Sequence, residues 1–412
     1  MFLICIVGIV FLLLCEFLVY RNLKTPVFVY GLVWLLVYFS LFLQQDELIF
    51  SNSRLPSFFL ATLLFIIGFR LVNFFGDESF CREKYEVAWN PMLEKIIFSG
   101  VYFFSLIAFV KCYSVISISE FSAWQAVRQG MSEDELFPPW IGIVFNFVRM
   151  VFFISFAIYM CSPTKKNKIE CLLALPPVIL TCLFSARGDW FMIILTLIYL
   201  AFFIRDISNK KVVIIGIISF LAFVGIFIYS SLDKFKYAYT DMTELEKMEM
   251  LFNSYFLHPV LNFFYWFDEN PELADGKYTF RFLIAVKSAL FGGGEVVPTV
   301  LPFRTINGVQ SNVYTSLNWC ARDFGLWWAL LVQFFLGLFY GGLYKRFVKN
   351  DTFHLATIII LCLLIDPIVN QFFDDKFFSI VSHWLQRIIF VLVVVKLGVV
   401  IKSKEMKNAP NL

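Results

Sequence analysis

The sequence contains few charged residues: only 16% are Asp, Glu, Lys or Arg, whereas 60% are hydrophobic and 53 are phenylalanine. So little charge excludes an ordinary soluble domain, in which about a quarter of the residues are charged. The net charge of +3 is also too small to indicate a nucleic-acid partner. The composition therefore predicts an integral membrane protein.

The sequence also lacks the common motifs for nucleotide, metal and nucleophilic chemistry. It has no GxxxxGK[ST] phosphate loop, no HExxH and no GxSxG, which argues against ATP hydrolysis and metalloprotease chemistry. Nine cysteines fall mostly inside apolar stretches, without CxxC or Cys/His ligand spacing. They predict small core residues, not disulfides or a metal site. We therefore expect a protein without a metal or cofactor.

Long apolar segments are abundant, and eleven of them approach the roughly 20 residues that a helix needs to cross a bilayer. They are 2–20, 26–43, 57–75, 96–116, 141–161, 169–185, 190–204, 212–230, 324–342, 354–372 and 383–401. The first has no basic region before it and no cleavage site after it, so we expect a retained span. The pattern predicts an all-α, polytopic protein with about eleven transmembrane helices.

Basic residues divide unevenly between alternate loops. Seventeen Lys and Arg residues lie in the loops of one set, and the short loops of the other set hold only Arg54, Arg128, Arg187 and Lys376. Because cytoplasmic loops carry the excess of Lys and Arg, the C-terminus is predicted to be cytoplasmic. With eleven spans, the N-terminus is then external, and so is the turn that contains Arg187.

One external connection is much longer than the others. Residues 231–323 separate an N-terminal bundle of about eight spans, 1–230, from a C-terminal bundle of about three, 324–412. Thr243 and Glu246 have the spacing of a capping box and open a predicted surface helix. The run FRFLIAVKSALFGGG, which begins at Phe280, predicts a surface or re-entrant helix. A hidden pair of spans is the alternative.

Four arginines on the predicted external side are candidate ligands for an anion: Arg128, Arg187, Arg304 and Arg322. Arginine stays charged at any relevant pH, and its planar group can hold two phosphate oxygens. Near the membrane surface such groups could bind a lipid-linked phosphate or pyrophosphate. The alternative for each is an arginine that reaches lipid headgroups or pairs with a nearby acid. We favour Arg187, because a short turn between two spans would hold it rigidly.

The charged residues inside the predicted spans include Glu16, Arg149 and Lys396. A charge at the centre of a membrane helix costs roughly 2.5–3.5 kcal/mol on insertion scales. Arg149 is therefore expected to face the bundle interior or a cavity. Whether it pairs across helices for structural reasons or has a functional role stays open at this point.

Candidate bases are His258, His383 and Asp323. Histidine titrates near neutral pH and could deprotonate a sugar hydroxyl, although a lone histidine is more often a packing or hydrogen-bonding residue. Asp323 could act as a base or could cap the helix predicted to start at Phe324.

These features together resemble the Wzy-type O-antigen polymerases and related oligosaccharide repeat-unit polymerases. The resemblance extends over most of the chain as architecture, and at sequence level over the external turn SARGDW and over NVYTSLNWCARDFGLWWALL. An Asn-x-Tyr segment followed by Asp-Phe-Gly before a late span matches five residues here: Asn312, Tyr314, Asp323, Phe324 and Gly325. The external arginine of the family matches Arg187, and an arginine in an earlier external loop matches Arg128.

The resemblance implies a metal-independent glycosyltransferase of the multispanning, GT-C-like class in a bacterial inner membrane. It would transfer a growing glycan from undecaprenyl pyrophosphate to another lipid-linked repeat unit at the periplasmic face, with a chain-length regulator protein as a possible partner. We expect Arg187 to bind the pyrophosphate and Arg128, Arg304 and Arg322 to assist. Asp323 or His258 would be the base. Related membrane transferases such as a ligase, or a flippase or other transporter, remain alternatives.

Overall fold

The computed structural model describes most of the chain, and every structural statement below concerns the residues that it describes. These are 1–43, 54–73, 85–116, 138–183, 187–205, 207–219, 221, 225, 243–269, 271–293, 295–299, 301–306, 309–349 and 354–403.

The first half of the chain is almost entirely helical. Its helices are α1 (Phe2–Tyr20), α2 (Pro26–Leu43), α3 (Pro56–Val72), α4 (Pro91–Ile116), α5 (Pro139–Cys161), α6 (Lys165–Leu183) and α7 (Arg187–Arg205). Strand β1 (Tyr85–Trp89) precedes α4, and residues 209–219 form a further helical segment. Proline at the start of a helix fits these boundaries, because the first N–H groups have no partner within the helix.

The second half alternates short and long elements. It contains α8 (Glu244–Phe252), a π-helical turn (Asn253–Leu257), α9 (His258–Asp268), α10 (Arg281–Phe291), β2 (Arg304–Ile306), β3 (Val309–Ser311) and α11 (Ser316–Phe324). Then follow α12 (Leu326–Lys349), α13 (Leu355–Leu363), α14 (Ile365–Asn370), α15 (Val381–Gly398) and β4 (Val399–Ser403). The helix that the sequence predicts in the FRFLIAVKSALFGGG run is thus confirmed as α10.

Seven of the described helices are long and apolar enough to cross a membrane: α1, α2, α4, α5, α7, α12 and α15. Two shorter apolar stretches, Pro56–Val72 and Leu355–Asn370, accompany them. On α1, Leu3, Ile4 and Phe11 are more than 60% exposed while Ile9 is fully buried. An apolar helix that leaves large side chains uncovered on one face is suited to lipid and not to water. The protein is therefore a multi-pass, predominantly α-helical membrane protein.

The chain forms two compact units, each built from separate segments. Unit 1 comprises Met1–Gly76, Ser208–Lys345 and Ile365–Val381, and unit 2 comprises Asp77–Ile207, Arg346–Leu364 and Ser382–Leu412. The division into an N-terminal bundle, an external loop and a C-terminal bundle follows chain order. The two units instead combine segments from distant parts of the chain. The predicted division therefore stays a prediction.

Within each unit, hydrogen bonds join loops that the basic-residue count assigns to one side of the membrane. In unit 1, Asn209 donates to the carbonyl of Arg21 at 2.6 Å and accepts from Leu23 N–H at 3.4 Å. In unit 2, β1 pairs antiparallel with β4, with Tyr85 opposite Ser403. Segments on opposite sides of a bilayer cannot pair in this way. The side assignments are therefore mutually consistent within each unit.

Two details differ from the sequence-based expectation. The last span was expected to continue to residue 401, but it ends at Gly398 because the β-branched run Val399–Ile401 pairs with β1. The span expected over 354–372 is interrupted at Leu364, so it forms α13 and α14. Pro367, which cannot donate a backbone hydrogen bond, lies in the first turn after this break.

The predicted capping box at the start of the external loop is confirmed. The Thr243 hydroxyl accepts from Glu246 N–H, and the Glu246 carboxylate accepts from Thr243 N–H at 2.7 Å. Leu245 and Phe252 on this helix are exposed. That this helix lies on the membrane surface stays a prediction.

Close packing of α3 against α12 depends on glycine. A side chain added at Gly337 would overlap the carbonyl oxygen of Phe65, and one at Gly68 would overlap that of Phe334. Small residues at such positions let helix backbones approach closely, which is a main source of helix association in membranes.

Replacing Gly337 by alanine is expected to destabilise unit 1, because the added methyl group meets backbone and no flexible side chain. Overpacking of this kind costs typically 1–3 kcal/mol. The thermal midpoint of the purified protein in detergent measures the effect. Gly342→Ala is the matched control, since Gly342 lies on the same helix with open space at its Cβ. Equal midpoints for the two variants would contradict the packing argument.

Candidate functional site

A cluster of three charged side chains lies among the helices of unit 2. A guanidinium nitrogen of Arg149 lies 3.2 Å from the Asp189 carboxylate, and one of Arg387 lies 3.7 Å from the same oxygen. Both arginine side chains are about 95% buried or more, whereas that of Asp189 is 26% exposed. Three spans, α5, α7 and α15, contribute one charge each.

Polar and aromatic neighbours hold the cluster in place. Arg387 Nε donates to Asn146 Oδ1 at 2.9 Å, and Asn146 Nδ2 donates to Gln386 at 3.1 Å. The Trp384 ring lies 4.6 Å from the Arg387 guanidinium carbon, within cation–π distance. The positions follow from helical spacing, because Asn146 is one turn before Arg149 and Trp384 is one turn before Arg387.

The cluster carries an excess of positive charge. Among the described residues, the two arginines and one aspartate of this cluster sum to +1. Charges in membrane helices are expensive and are usually balanced. The Glu16–Arg70 pair of unit 1 is such a balanced case, with Arg70 Nε 2.9 Å from the carboxylate. The two buried arginines beside the partly exposed Asp189 make this cluster a candidate anion site.

Arg187 begins α7 and does not lie in a turn. The expectation of a short loop that holds Arg187 is wrong, because the backbone is helical from Arg187 onward. An acid in the first turn interacts favourably with the helix dipole, and Asp189 occupies that position. Asp189 bonds to Arg149 and Arg387. The side chain of Arg187, like all of Arg128, lies outside the described residues.

Unit 1 brings three of the predicted substrate-binding residues together. The Arg322 guanidinium lies 4.9 Å from the Tyr314 ring, 5.3 Å from Trp266 and 5.6 Å from Tyr278. Its Nε donates to Asn318 at 2.8 Å. Burial lowers the pKa of Arg322, and the nearby positive charge of Arg304 lowers it further. The two cations are therefore close enough to act on one another.

Arg322 and the rings of Trp266, Tyr278 and Tyr314 form the Arg322 cluster. Contacts of Arg304 and Tyr314 lie at its edge. Arg304 pairs with Glu269 at 2.6 Å, and the Tyr314 hydroxyl donates to the carbonyl of Pro302 at 2.9 Å. Asn312 is half-buried on the same strand-to-helix segment. The sequence motif thus corresponds to a real spatial group of a cation and aromatic rings, although Arg304 is itself partly neutralised.

Asp323 has a structural position. It is fully buried, and its two oxygens accept the N–H groups of Tyr278 and Thr279, at 2.9 and 2.5 Å. The expectation that it caps the following helix is wrong, because it lies inside α11 and binds the segment before α10. These two bonds fix the loop and leave the carboxylate poorly placed as a base.

His258 is also buried. It is 4% exposed, and its Nδ1 has no hydrogen-bond partner among the described residues. Burial lowers the pKa of His258 to about 4, from an ordinary 6.5. Such a histidine is neutral but weakly basic, so it is a poor base. His383, by contrast, is exposed and lies one turn before Arg387 on α15.

The low pKa of His258 predicts acid sensitivity. Because the folded protein binds this proton less readily than the unfolded chain, the stability contributed by neutral His258 is present above pH 6.5. It is lost as the pH falls toward 4. Between pH 7 and 4.5 the loss should be on the order of 2 kcal/mol. Unfolding midpoints measured at both pH values for wild type and His258→Gln test this. An equal acid-induced drop in the two proteins would contradict it.

Sequence reasoning overlooked Arg387, Gln386 and Asn146 as members of the unit 2 cluster. Arg387 lies inside the predicted last span, so an inventory of charges in that span could have found it. Its pairing with Asp189, about 200 positions away in the chain, has no local signal. Comparisons with models of known protein families, with curated proteins and with solved structures find no match to this chain.

Proposed function

We propose that this protein is a membrane glycosyltransferase that joins repeat units carried on undecaprenyl pyrophosphate, as a Wzy-type polymerase does. The observation that carries the proposal is that two buried arginines from different spans, Arg149 and Arg387, meet at the partly exposed carboxylate of Asp189. A lipid-linked pyrophosphate is an anion whose tail stays in the bilayer. Such a ligand can reach a cationic cluster between membrane helices.

The chemistry of transfer explains why cations suffice. The acceptor hydroxyl attacks the anomeric carbon of the donor and the bond from that carbon to the pyrophosphate oxygen breaks, so negative charge develops on the leaving group. The proton of the hydroxyl passes to water or to the departing pyrophosphate. Preorganised cations at that position lower the barrier. Arginine can hold two phosphate oxygens at once. We assign the pyrophosphate to Arg149 and Arg387, with Arg187 at the start of the same α7 helix that supplies Asp189.

We assign the Arg322 cluster of unit 1 to the glycan part of a substrate. Aromatic rings of Trp266, Tyr278 and Tyr314 surround this arginine, and amphipathic rings of this kind can present an apolar face to the C–H groups of a sugar. Arg304 at its edge would reach an acidic sugar or a phosphate oxygen.

The finer architecture belongs to the same proposal. It comprises eleven spans of a GT-C-like bundle in a bacterial inner membrane. The loop charges support an external N-terminus and a cytoplasmic C-terminus. The growing chain would lie on the periplasmic side, where a chain-length regulator protein could bind it.

A transporter or flippase is the second candidate. The break between α13 and α14 places buried Asp366 and Asn370 directly after an interrupted helix, and Asn370 Nδ2 donates to Asp366 at 2.7 Å. Discontinuous membrane helices often line the binding sites of transporters. The unit 2 cluster lies on three other helices and contains two arginines that suit a pyrophosphate. We therefore favour the transferase.

Deletion of the gene in the cell of origin distinguishes these functions. For a polymerase, the ladder of long surface glycan disappears on a gel while a single repeat unit remains attached. Restoring the wild-type gene should bring the ladder back. Complete loss of attached glycan would indicate a ligase or a flippase, and an unchanged ladder would exclude all of these functions.

A further inference from the structure

Unit 1 contains a partly enclosed cavity that the proposed chemistry does not use. It lies between α2, α3, α12 and α14, and its polar lining includes Gln333, Gln371 and Asp375. Its interior measures about 20 Å³, which is the space that one water-sized group occupies. A single hydroxyl or hydroxymethyl group therefore fits it, and a whole sugar ring does not.

Two amide groups in the cavity lack acceptors. Gln333 is 1% exposed and Gln371 is 3% exposed, and the Nε2 of each has no hydrogen-bond partner among the described residues. Gln333 is held by its other atom, since Oε1 accepts from the Tyr30 hydroxyl at 2.9 Å. A buried donor without a partner costs roughly 1–3 kcal/mol. Both donors are therefore suited to a ligand oxygen.

Asp375 supplies the complementary acceptor. Its carboxylate is 2% exposed and accepts the N–H groups of Phe377 and Phe378 on Oδ1 and of Ser379 on Oδ2. A carboxylate has about four lone-pair positions. The three N–H groups occupy two positions on Oδ1 and one on Oδ2, and the Ser379 hydroxyl also lies within reach of the carboxylate. A ligand O–H group would share the remaining position on Oδ2 with that hydroxyl.

Aromatic rings form the walls of the cavity. Tyr30 stacks on Phe65 with ring centroids 4.0 Å apart, and Tyr340 is fully buried beside them. Phe377 and Phe378 line the cavity while staying half-buried. Their uncovered surface offers an apolar face to a ring that remains outside.

The lining selects the chemical class of the ligand. An anion would be repelled by the negative charge of Asp375. A cation would leave the two amide donors without an acceptor. A hydroxyl group both accepts from an amide and donates to a carboxylate. The lining therefore fits a neutral polyhydroxylated ligand with an apolar face.

We propose that this cavity is a sugar subsite, in which one hydroxyl or hydroxymethyl group of a neutral residue in the glycan binds Gln333, Gln371 and Asp375. The sugar ring then rests against Phe377 and Phe378. The assignment of this sugar to the glycan substrate rests on the proposed function, whereas the binding of a neutral sugar by the cavity does not.

Gln371→Met tests the subsite in the full-length protein in nanodiscs. The probe is the oligosaccharide released from the cell's own surface glycan by mild acid, and binding is measured by saturation-transfer NMR and titration. Losing one hydrogen bond should weaken binding about tenfold. The fold should not suffer, because the replaced Nε2 has no partner in the ligand-free protein. Ile368→Val, which changes the wall of the cavity and no polar group, is the control and should bind as wild type does.

Unchanged binding by Gln371→Met would overturn the subsite. So would absence of oligosaccharide binding to wild type, with a water molecule on Gln333 and Gln371 in a density map. These outcomes are separable from the deletion experiment. A lost ladder with binding independent of Gln371 removes only the subsite, and an unchanged ladder with Gln371-dependent binding removes only the polymerase.

Discussion

Replacing Asp189 by alanine should sharply reduce the amount of folded protein. The substitution leaves Arg149 and Arg387 buried in apolar helices without the carboxylate that contacts both. Breaking a buried ion pair from one side typically costs about 3–5 kcal/mol. The measurement is the fraction of monodisperse protein after detergent extraction, together with its thermal midpoint.

A double variant separates charge balance from function. Asp189→Ala raises the charge of the cluster from +1 to +2, and Asp189→Ala combined with Arg387→Met returns it to +1. We expect the double variant to regain much of the folded yield and to remain inactive in polymer formation, because a phosphate-binding cation is missing. Wild-type yield for the single variant would contradict the burial argument. Full activity of the double variant would remove Asp189 and Arg387 from the proposed site.

Replacing Arg187 should abolish polymer formation without loss of protein. Removing one group that stabilises charge in a transition state typically costs on the order of 10²–10³ in rate, or about 2.7–4 kcal/mol. Arg187→Lys should fail as well, since lysine keeps the charge but cannot hold two phosphate oxygens in a fixed geometry. The measurement is the glycan ladder in complemented deletion cells, with protein levels checked by blotting.

Arg205→Ala is the matched control for Arg187. It removes an arginine from the last, exposed position of the same α7 helix, at the opposite end from the cluster. We expect a normal ladder from this variant. If Arg187→Ala and Arg187→Lys also produce normal ladders, Arg187 has no role in pyrophosphate binding.

Local sequence patterns predicted much of the fold. Apolar runs predicted most helices to within a few residues, and the capping box at Thr243 and Glu246 formed as expected. The charge count grouped loops that are joined by hydrogen bonds, such as Arg21 with Asn209. The break at Leu364 and the pairing of β1 with β4 were missed, because both depend on contacts that no short window contains.

In the candidate sites, too, contacts within one sequence motif were easier to predict than contacts between distant segments. Arg322 and Tyr314 lie in one sequence motif and are also close in space, 4.9 Å from guanidinium carbon to ring centre. For Asp323 the residue type suggested a cap or a base, whereas its oxygens bind Tyr278 and Thr279. A side chain's chemistry is visible in the sequence, but its partners are not.

By itself the sequence determined that this is a multispanning helical membrane protein, because apolar length and charge asymmetry are properties of the chain alone. Tertiary structure decided that Asp189 binds Arg149 and Arg387, and that Gln333, Gln371 and Asp375 face one cavity. These groups come from residues far apart in the chain. Only the packing of helices sets their distances, and with them the net charge and the hydrogen-bonding groups that a ligand meets.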